Sequence, residues 1–266
     1  MDLELTEELA EVQKLARDFA EKEIAPTAAK DDREHIFRKD LVIKMGDLGF
    51  YGCLIPEEHG GNGLGFLAHA LISEEIARVH SAIRVYLNMQ AGPAVTLHEF
   101  GNEEQKKRYL PGLLSGESVG LFAITEPDAG SDVAAMKTTA KRDGKNYLLN
   151  GTKTWITNAT VADAGIIFAY TDRSQKHRGM SAFYAELNQP GVTRRELDKL
   201  GAHSSPTGEL TFDNFSVPMD NLIGQEGKGW ALANTTLELE HGGSGNVGGN
   251  DLRSEFLGKI IGYLKA

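Results

Sequence analysis

The chain has 266 residues, 41% hydrophobic and 25% charged, enough for two domains with sizeable cores and typical of globular proteins. A net charge of -10 argues against general nucleic-acid or anionic-membrane binding, and the single cysteine, Cys53, excludes an intrachain disulfide and fits a reducing compartment. No apolar run approaches the ~20 residues needed to span a bilayer, and the acidic start MDLELTEELAEVQK has the character of neither a signal nor a transit peptide, so a cytoplasmic location is expected.

Residues 1–116 read as helices. Leu9, Val12, Leu15, Phe19 and Ile24 recur at helical spacing, Thr6 can cap their helix, and Pro26 marks its end. Further helices are expected at 39–48, 66–80, 82–100 and 103–115, the last capped by Asn102, with GGNGLG (60–65) as a loop. From 117 to 226 the pattern turns strand-like. YLLNGTKTWIT (147–157) contains Asn150-Gly151, a hairpin signal of the two-residue type. Other strands are expected at 164–171, 180–187 and 209–217, separated by Gly, Pro, Asp and Asn clusters. Short strands at this spacing imply a small barrel or a sandwich. A helical pattern returns at 228–241, followed by the glycine-rich 242–250 and a short amphipathic helix at 251–264. The fold class is therefore α+β: helical residues 1–116, a β unit at 117–226 and a shortened helical segment at 227–266. Gly243-x-Gly245-x-x-Gly248 follows a helix rather than a strand and is set aside as a dinucleotide fingerprint. The eight histidines lack metal-ligand spacing, so no metal is expected.

Four segments carry a resemblance. They are Ala123-Ile124-Thr125-Glu126-Pro127-Asp128-Ala129-Gly130-Ser131-Asp132, Asn150 to Asn158, Pro56-Glu57-Glu58-His59-Gly60-Gly61, and Val217-Pro218 leading to Asn221-Leu222-Ile223-Gly224. In this order the chain resembles the acyl-CoA dehydrogenase family over residues 1 to about 241. Within it, His203 to Leu210 and Ser81 to Met89 look like the glutaryl-CoA branch.

The resemblance implies FAD as cofactor, an acyl-CoA thioester as substrate, electron-transfer flavoprotein as acceptor, and a homo-oligomer, which in the family is a tetramer. It implies that Phe122, Ala123, Ile124 and Thr125 lie along the flavin, that Trp155 packs on one of its faces beside Ile156, and that Thr157 donates toward its reacting nitrogen. Read without it, Thr125 and Thr157 are ordinary strand threonines and Trp155 is a core residue. Ser131 would contact the CoA chain, or simply form a turn. Arg84, in an otherwise apolar helix pattern, would grip a substrate carboxylate; a surface position or an internal salt bridge are the other readings.

The family's usual catalytic glutamate lies in a C-terminal helical bundle of which this sequence carries only the beginning. A minority of members place the base on the helix matching 228–241, where Glu240 falls, with Glu238 near a ligand-contacting acidic position. Glu240 can equally be a solvated helix glutamate. His241 stands where the family usually has an arginine. The functional expectation is FAD-dependent α,β-dehydrogenation of an acyl-CoA, with glutaryl-CoA or another short dicarboxylic thioester as the finer reading. The alternatives are a non-catalytic relative that binds acyl-CoA or a partner chain, and a flavin oxidase or monooxygenase on the same fold.

Overall fold

A computed structural model describes residues 5–240, with side chains through Asn234. The expected helix at 251–264 and the glycine-rich 242–250 lie outside the described residues. Helix α1 (Glu7–Phe19) starts at Thr6, whose hydroxyl accepts from the Leu9 amide, and continues as one wider turn through Ile24. Its buried stripe is Ala16, Phe19, Ala20 and Ile24, with Leu9 and Val12 packed alongside. Leu15, expected in that stripe, is 43% exposed because the buried positions step 12, 16 and 19/20 around the helix.

Next come α2 (Ala28–Arg33), which the sequence pattern did not predict, α3 (Lys39–Asp47), α4 (Gly65–Val79), α5 (Ser81–Phe100) and α6 (Glu103–Ser115). Asn102 caps α6 in a full capping box with Gln105. The Gln105 amide also reaches the Asp220 and Leu222 carbonyls, tying this helix start to the β half.

Among the described residues, eight strands form one mixed sheet: β1 (Phe122–Ala123), β2 (Thr139–Asp143), β3 (Asn146–Thr157), β4 (Ala164–Tyr170), β5 (Met180–Glu186), β6 (Val192–Glu196), β7 (Thr207–Pro218) and β8 (Leu222–Ile223). The order is β6-β7-β3-β2-β4-β5-β8, and β1 joins β4 in parallel. Because β5 occupies one edge of β4 along its whole length, β1 and β2 share the other.

β4 and β5 divide the molecule. Ile166, Phe168, Tyr170, Ala182 and Tyr184 face the helices, while Ile167, Ala169, Phe183 and Ala185 face Tyr147, Leu149, Phe212, Phe215 and Val217 of β3 and β7. Tyr147 meets Phe183 at 4.9 Å between ring centroids although their strands are not sheet neighbours, so the sheet curls over its own core. With both faces covered, β4 is buried at all seven residues and reads as a continuous apolar run. The last helix among the described residues, α7 (Gly229–Glu240), packs on α5 and β5.

The structure moves one expected turn. Asn150-Gly151 is not a hairpin but an irregularity inside β3, opposite β7. The glycine is required there by proximity, since a Cβ would sit 2.4 Å from the Thr138 hydroxyl oxygen. The hairpin turn is Gly144-Lys145, with φ 58° at Gly144 and Asp143 paired to Asn146.

The chain leaves α6 and enters the sheet along one anchored path. Pro93 in α5 has no N–H to bond the Met89 carbonyl one turn back. Gly120 packs against that oxygen so closely that a Cβ would lie 2.6 Å away. The Gln90 side chain accepts from the Gly120 amide and donates to the Leu113 and Ser118 carbonyls. Gly120→Ala should therefore lower stability by about 1–3 kcal/mol, the usual cost of overpacking. Urea unfolding of the two proteins measures it; an unchanged midpoint would mean that this passage is loose.

Candidate functional site

Residues 122–126 run beside the last third of β3. The Thr154 amide donates to the Thr125 carbonyl at 3.0 Å, and the Asn158 side-chain amide donates to the Gly120 carbonyl at 3.0 Å. Between these two bonds β3 loses register with β7 from Lys153 to Ile156. Trp155 takes φ 57° and Asn158 φ 64°. A left-handed tryptophan is costly, since only glycine and, less often, asparagine or aspartate adopt that region routinely. The bulge turns the indole outward, leaving Trp155 60% exposed between buried Thr154 and Ile156. Trp155 is thus not a core residue.

The same alternation sorts the other expected residues. Phe122, Thr125 and Thr157 are half-buried, and Phe122 also leans on Phe168 at 4.9 Å. Ala123, Ile124 and Ile156 are buried in the two cores, so only their backbones are left to meet a ligand. The Thr154–Thr125 bond therefore sets the segment that carries Thr125 beside the bulged stretch of β3 that carries Trp155 and Thr157.

Ser131 is exposed in the bend that follows the Glu126–Ala129 turn, whose ends exchange backbone bonds at 3.0 Å. Arg84 is only 7% exposed in the first turns of α5, which removes the surface reading of this residue. The loop at 202–206 clamps that end of α5. Ser204 is fully buried, its hydroxyl is 3.2 Å from His80 Nε2, and its carbonyl accepts from the Tyr86 hydroxyl at 2.6 Å. Arg84 lies on the α5 face of the molecule, an element separate from the Thr125–Trp155–Thr157 edge, although α5 also packs on β1. Glu238 and Glu240 lie in the last turn of α7, and their side chains fall outside the described residues.

Along the sequence, Glu126 and Lys153 stand only as parts of motifs, with no role of their own. In the structure they form a buried ion pair, Lys153 Nζ to Glu126 Oε1 at 2.8 Å, with relative exposures of 0% and 5%. The ammonium also donates to the Ile124 carbonyl at 3.1 Å. The carboxylate accepts from the Lys137 and Thr138 amides. Burial drives the Lys153 ammonium down to about 8, against the opposing pull of the Glu126 charge. Burial pushes the Glu126 carboxyl up, but the charge of Lys153 and the donated hydrogen bonds outweigh it and hold it below the ordinary glutamate range. The available signal was a lysine at an inward position of an alternating strand, which must find an anion.

The acyl-CoA dehydrogenase N-terminal domain profile matches residues 6–117, and the middle domain profile matches residues 121–215. A helical bundle on a curled mixed sheet, with those two matches in series, makes the chain a member of the acyl-CoA dehydrogenase family. It is 49% identical over 255 residues to a glutaryl-CoA dehydrogenase of Desulfococcus multivorans, covering 92% of this chain and 66% of that protein. It is 41% identical over 242 residues to the mitochondrial short-chain specific acyl-CoA dehydrogenase of Homo sapiens, covering 89% of this chain and 58% of that one. The fold matches that of a glutaryl-coenzyme A dehydrogenase in complex with glutaryl-CoA with a TM-score of 0.93 at 45% identity, covering 100% of this chain and 66% of the other. The chain thus spans between 58% and 66% of the length of these relatives. None of the described helices is long and apolar enough to cross a membrane.

The buried lysine makes stability depend on pH. Lys153 binds its proton with a value of about 8 in the folded chain and 10.5 as the reference for the unfolded one. Between those values the unfolded chain holds more protons, so this group makes stability rise with pH. The double variant Lys153→Met with Glu126→Gln lacks that contribution. Chemical denaturation across this window should show a steeper rise for the wild type; parallel curves would contradict the assignment.

Proposed function

We propose that the chain holds FAD along 122–125 and 155–157 and supports α,β-dehydrogenation of an acyl-CoA thioester. What supports this reading is the Thr154–Thr125 backbone bond, which sets the segment 122–125 beside the strained bulge of β3 that carries Trp155 and leads to Thr157. Backbone strain of this kind persists where the surrounding structure enforces it, and it clusters at functional sites. The residues fit the group: two hydroxyls and strand amides supply donors for a flavin's polar edge, and the exposed indole supplies an apolar wall. FAD held there would supply a two-electron acceptor for the hydride that leaves the β-carbon of the thioester.

The chain's own residues do the rest. Glu240 is proposed as the base that takes the α-proton, with Glu238 beside the ligand, on a helix that packs against α5. Ser131, exposed on its bend, is proposed to bond the CoA chain. Arg84 is proposed to hold the free carboxylate of a short dicarboxylic acyl group, glutaryl-CoA first among them; a buried guanidinium favours such an anion in paired geometry. Electron-transfer flavoprotein is the proposed acceptor and the cytoplasm the proposed location.

An anaerobic titration of the FAD-loaded protein with glutaryl-CoA and with butyryl-CoA tests this directly. Loss of oxidised flavin absorbance with glutaryl-CoA is expected. Arg84→Ala should weaken glutaryl-CoA by about 30-fold or more and butyryl-CoA little, the ~2 kcal/mol lower end for a buried charge pair losing one partner. Equal losses for both ligands would remove Arg84 from substrate recognition. Glu240→Gln should bind acyl-CoA with no bleaching; normal bleaching would place the base elsewhere.

A second reading is an acyl-CoA-binding relative without turnover. Ligand binding by the wild type with unchanged flavin absorbance would select it. Oxygen consumption by the reduced flavin would instead select oxidase chemistry.

A further inference from the structure

We propose that the buried Lys153–Glu126 pair is a positioning latch that locks the flavin-facing segment 122–126 and the acyl-CoA-facing bend 130–138 into one rigid unit. This rests on the flavin reading above. Three stretches of chain meet at the pair. Lys153 holds the Ile124 carbonyl and the Glu126 carboxylate, and lies 3.6 Å from the Met136 sulfur. Glu126 in turn fixes the Lys137 and Thr138 amides, closing the chain that carries Ser131. Thr125 sits between the two groups that Lys153 grips, and Trp155 lies two residues beyond the lysine, where β3 enters its left-handed bulge.

Core stability does not account for this arrangement. Two charges taken out of water lose much of their attraction to desolvation, and an apolar pair of the same volume is often as stable or more so. What a methionine in place of the lysine could not supply is direction. It cannot donate to the Ile124 carbonyl or hold Glu126 toward the two amides of the bend. The pair therefore sets where the Thr125 hydroxyl points and where the bend lies, and Lys153 and Glu126 act through the groups they place.

The test compares wild type, Lys153→Met, Glu126→Gln and the double variant. Lys153→Met alone leaves a buried, uncompensated carboxylate and is expected to be the least stable; the double variant removes both charges and keeps the volume. Three quantities are read: urea stability, hydrogen exchange at the Lys137 and Thr138 amides, and the two-electron potential of bound FAD. For the double variant the latch predicts stability equal to or above wild type, with exchange at those two amides at least tenfold faster. It also predicts a tenfold loss in the preference for reduced over oxidised flavin, a potential about 30 mV more negative. A merely structural pair would move stability and leave the potential unchanged. Wild-type exchange and potential in the double variant would overturn the latch. If the wild type takes up no FAD, the flavin reading fails by itself, and amide exchange in the flavin-free chain decides the latch.

Discussion

An ammonium group sealed from water must be surrounded by acceptors, and in this chain that requirement organises the centre of the β half. Lys153 is wholly buried, and what it finds is one carboxylate, one carbonyl and a thioether. Each belongs to the segment 124–136, which is not part of the regular ladder. The short strand β1 has only two residues paired to β4 and could not by itself fix the chain beyond Ala123. The lysine extends that order to Glu126, and the glutamate passes it on to the amides of the following bend. The pair lies next to Thr125 on one segment and two residues before Trp155 on the other.

The same edge depends on how the helices and the sheet share material. β4 and β5 contribute alternate side chains to two cores, one with the helices and one with β3 and β7. Any shift of one residue in their register would exchange the two sets and put each into the core packed around the other. This fixes the helical bundle against the sheet. It lets α5 carry Gln90 to the start of the segment 120–126 and Tyr86 to the loop at 202–206. A strained bulge survives only on such an over-determined frame, and the left-handed Trp155 and Asn158 sit where three bonded segments converge.

Much of this was legible along the chain. Helical spacing located α1 and α3 to α6, Thr6 and Asn102 act as caps as their side-chain chemistry requires, and the apolar runs at 164–171 and 180–187 became the two shared strands. Local signals failed where a distant contact took over. Asn150-Gly151 has hairpin chemistry, but its glycine serves a close approach to Thr138, while Gly144 makes the turn. β6 is polar and largely exposed, and it becomes a strand only because β7 offers it an edge. Leu15 fell off the buried stripe because helical rotation favours Ala16.

The motif residues of the candidate site could be named in order from the sequence, since side-chain type and spacing are local properties. The α+β succession followed likewise from the change of hydrophobic period from helical to alternating. Tertiary structure alone decided that Trp155 is turned out by a bulge, that Arg84 is buried, and that Lys153 and Glu126, 27 residues apart, neutralise one another. The reason is that burial and pairing are properties of the assembled interior: a lysine in a strand pattern does not reveal which carboxylate will share its dry pocket until the sheet has curled around both.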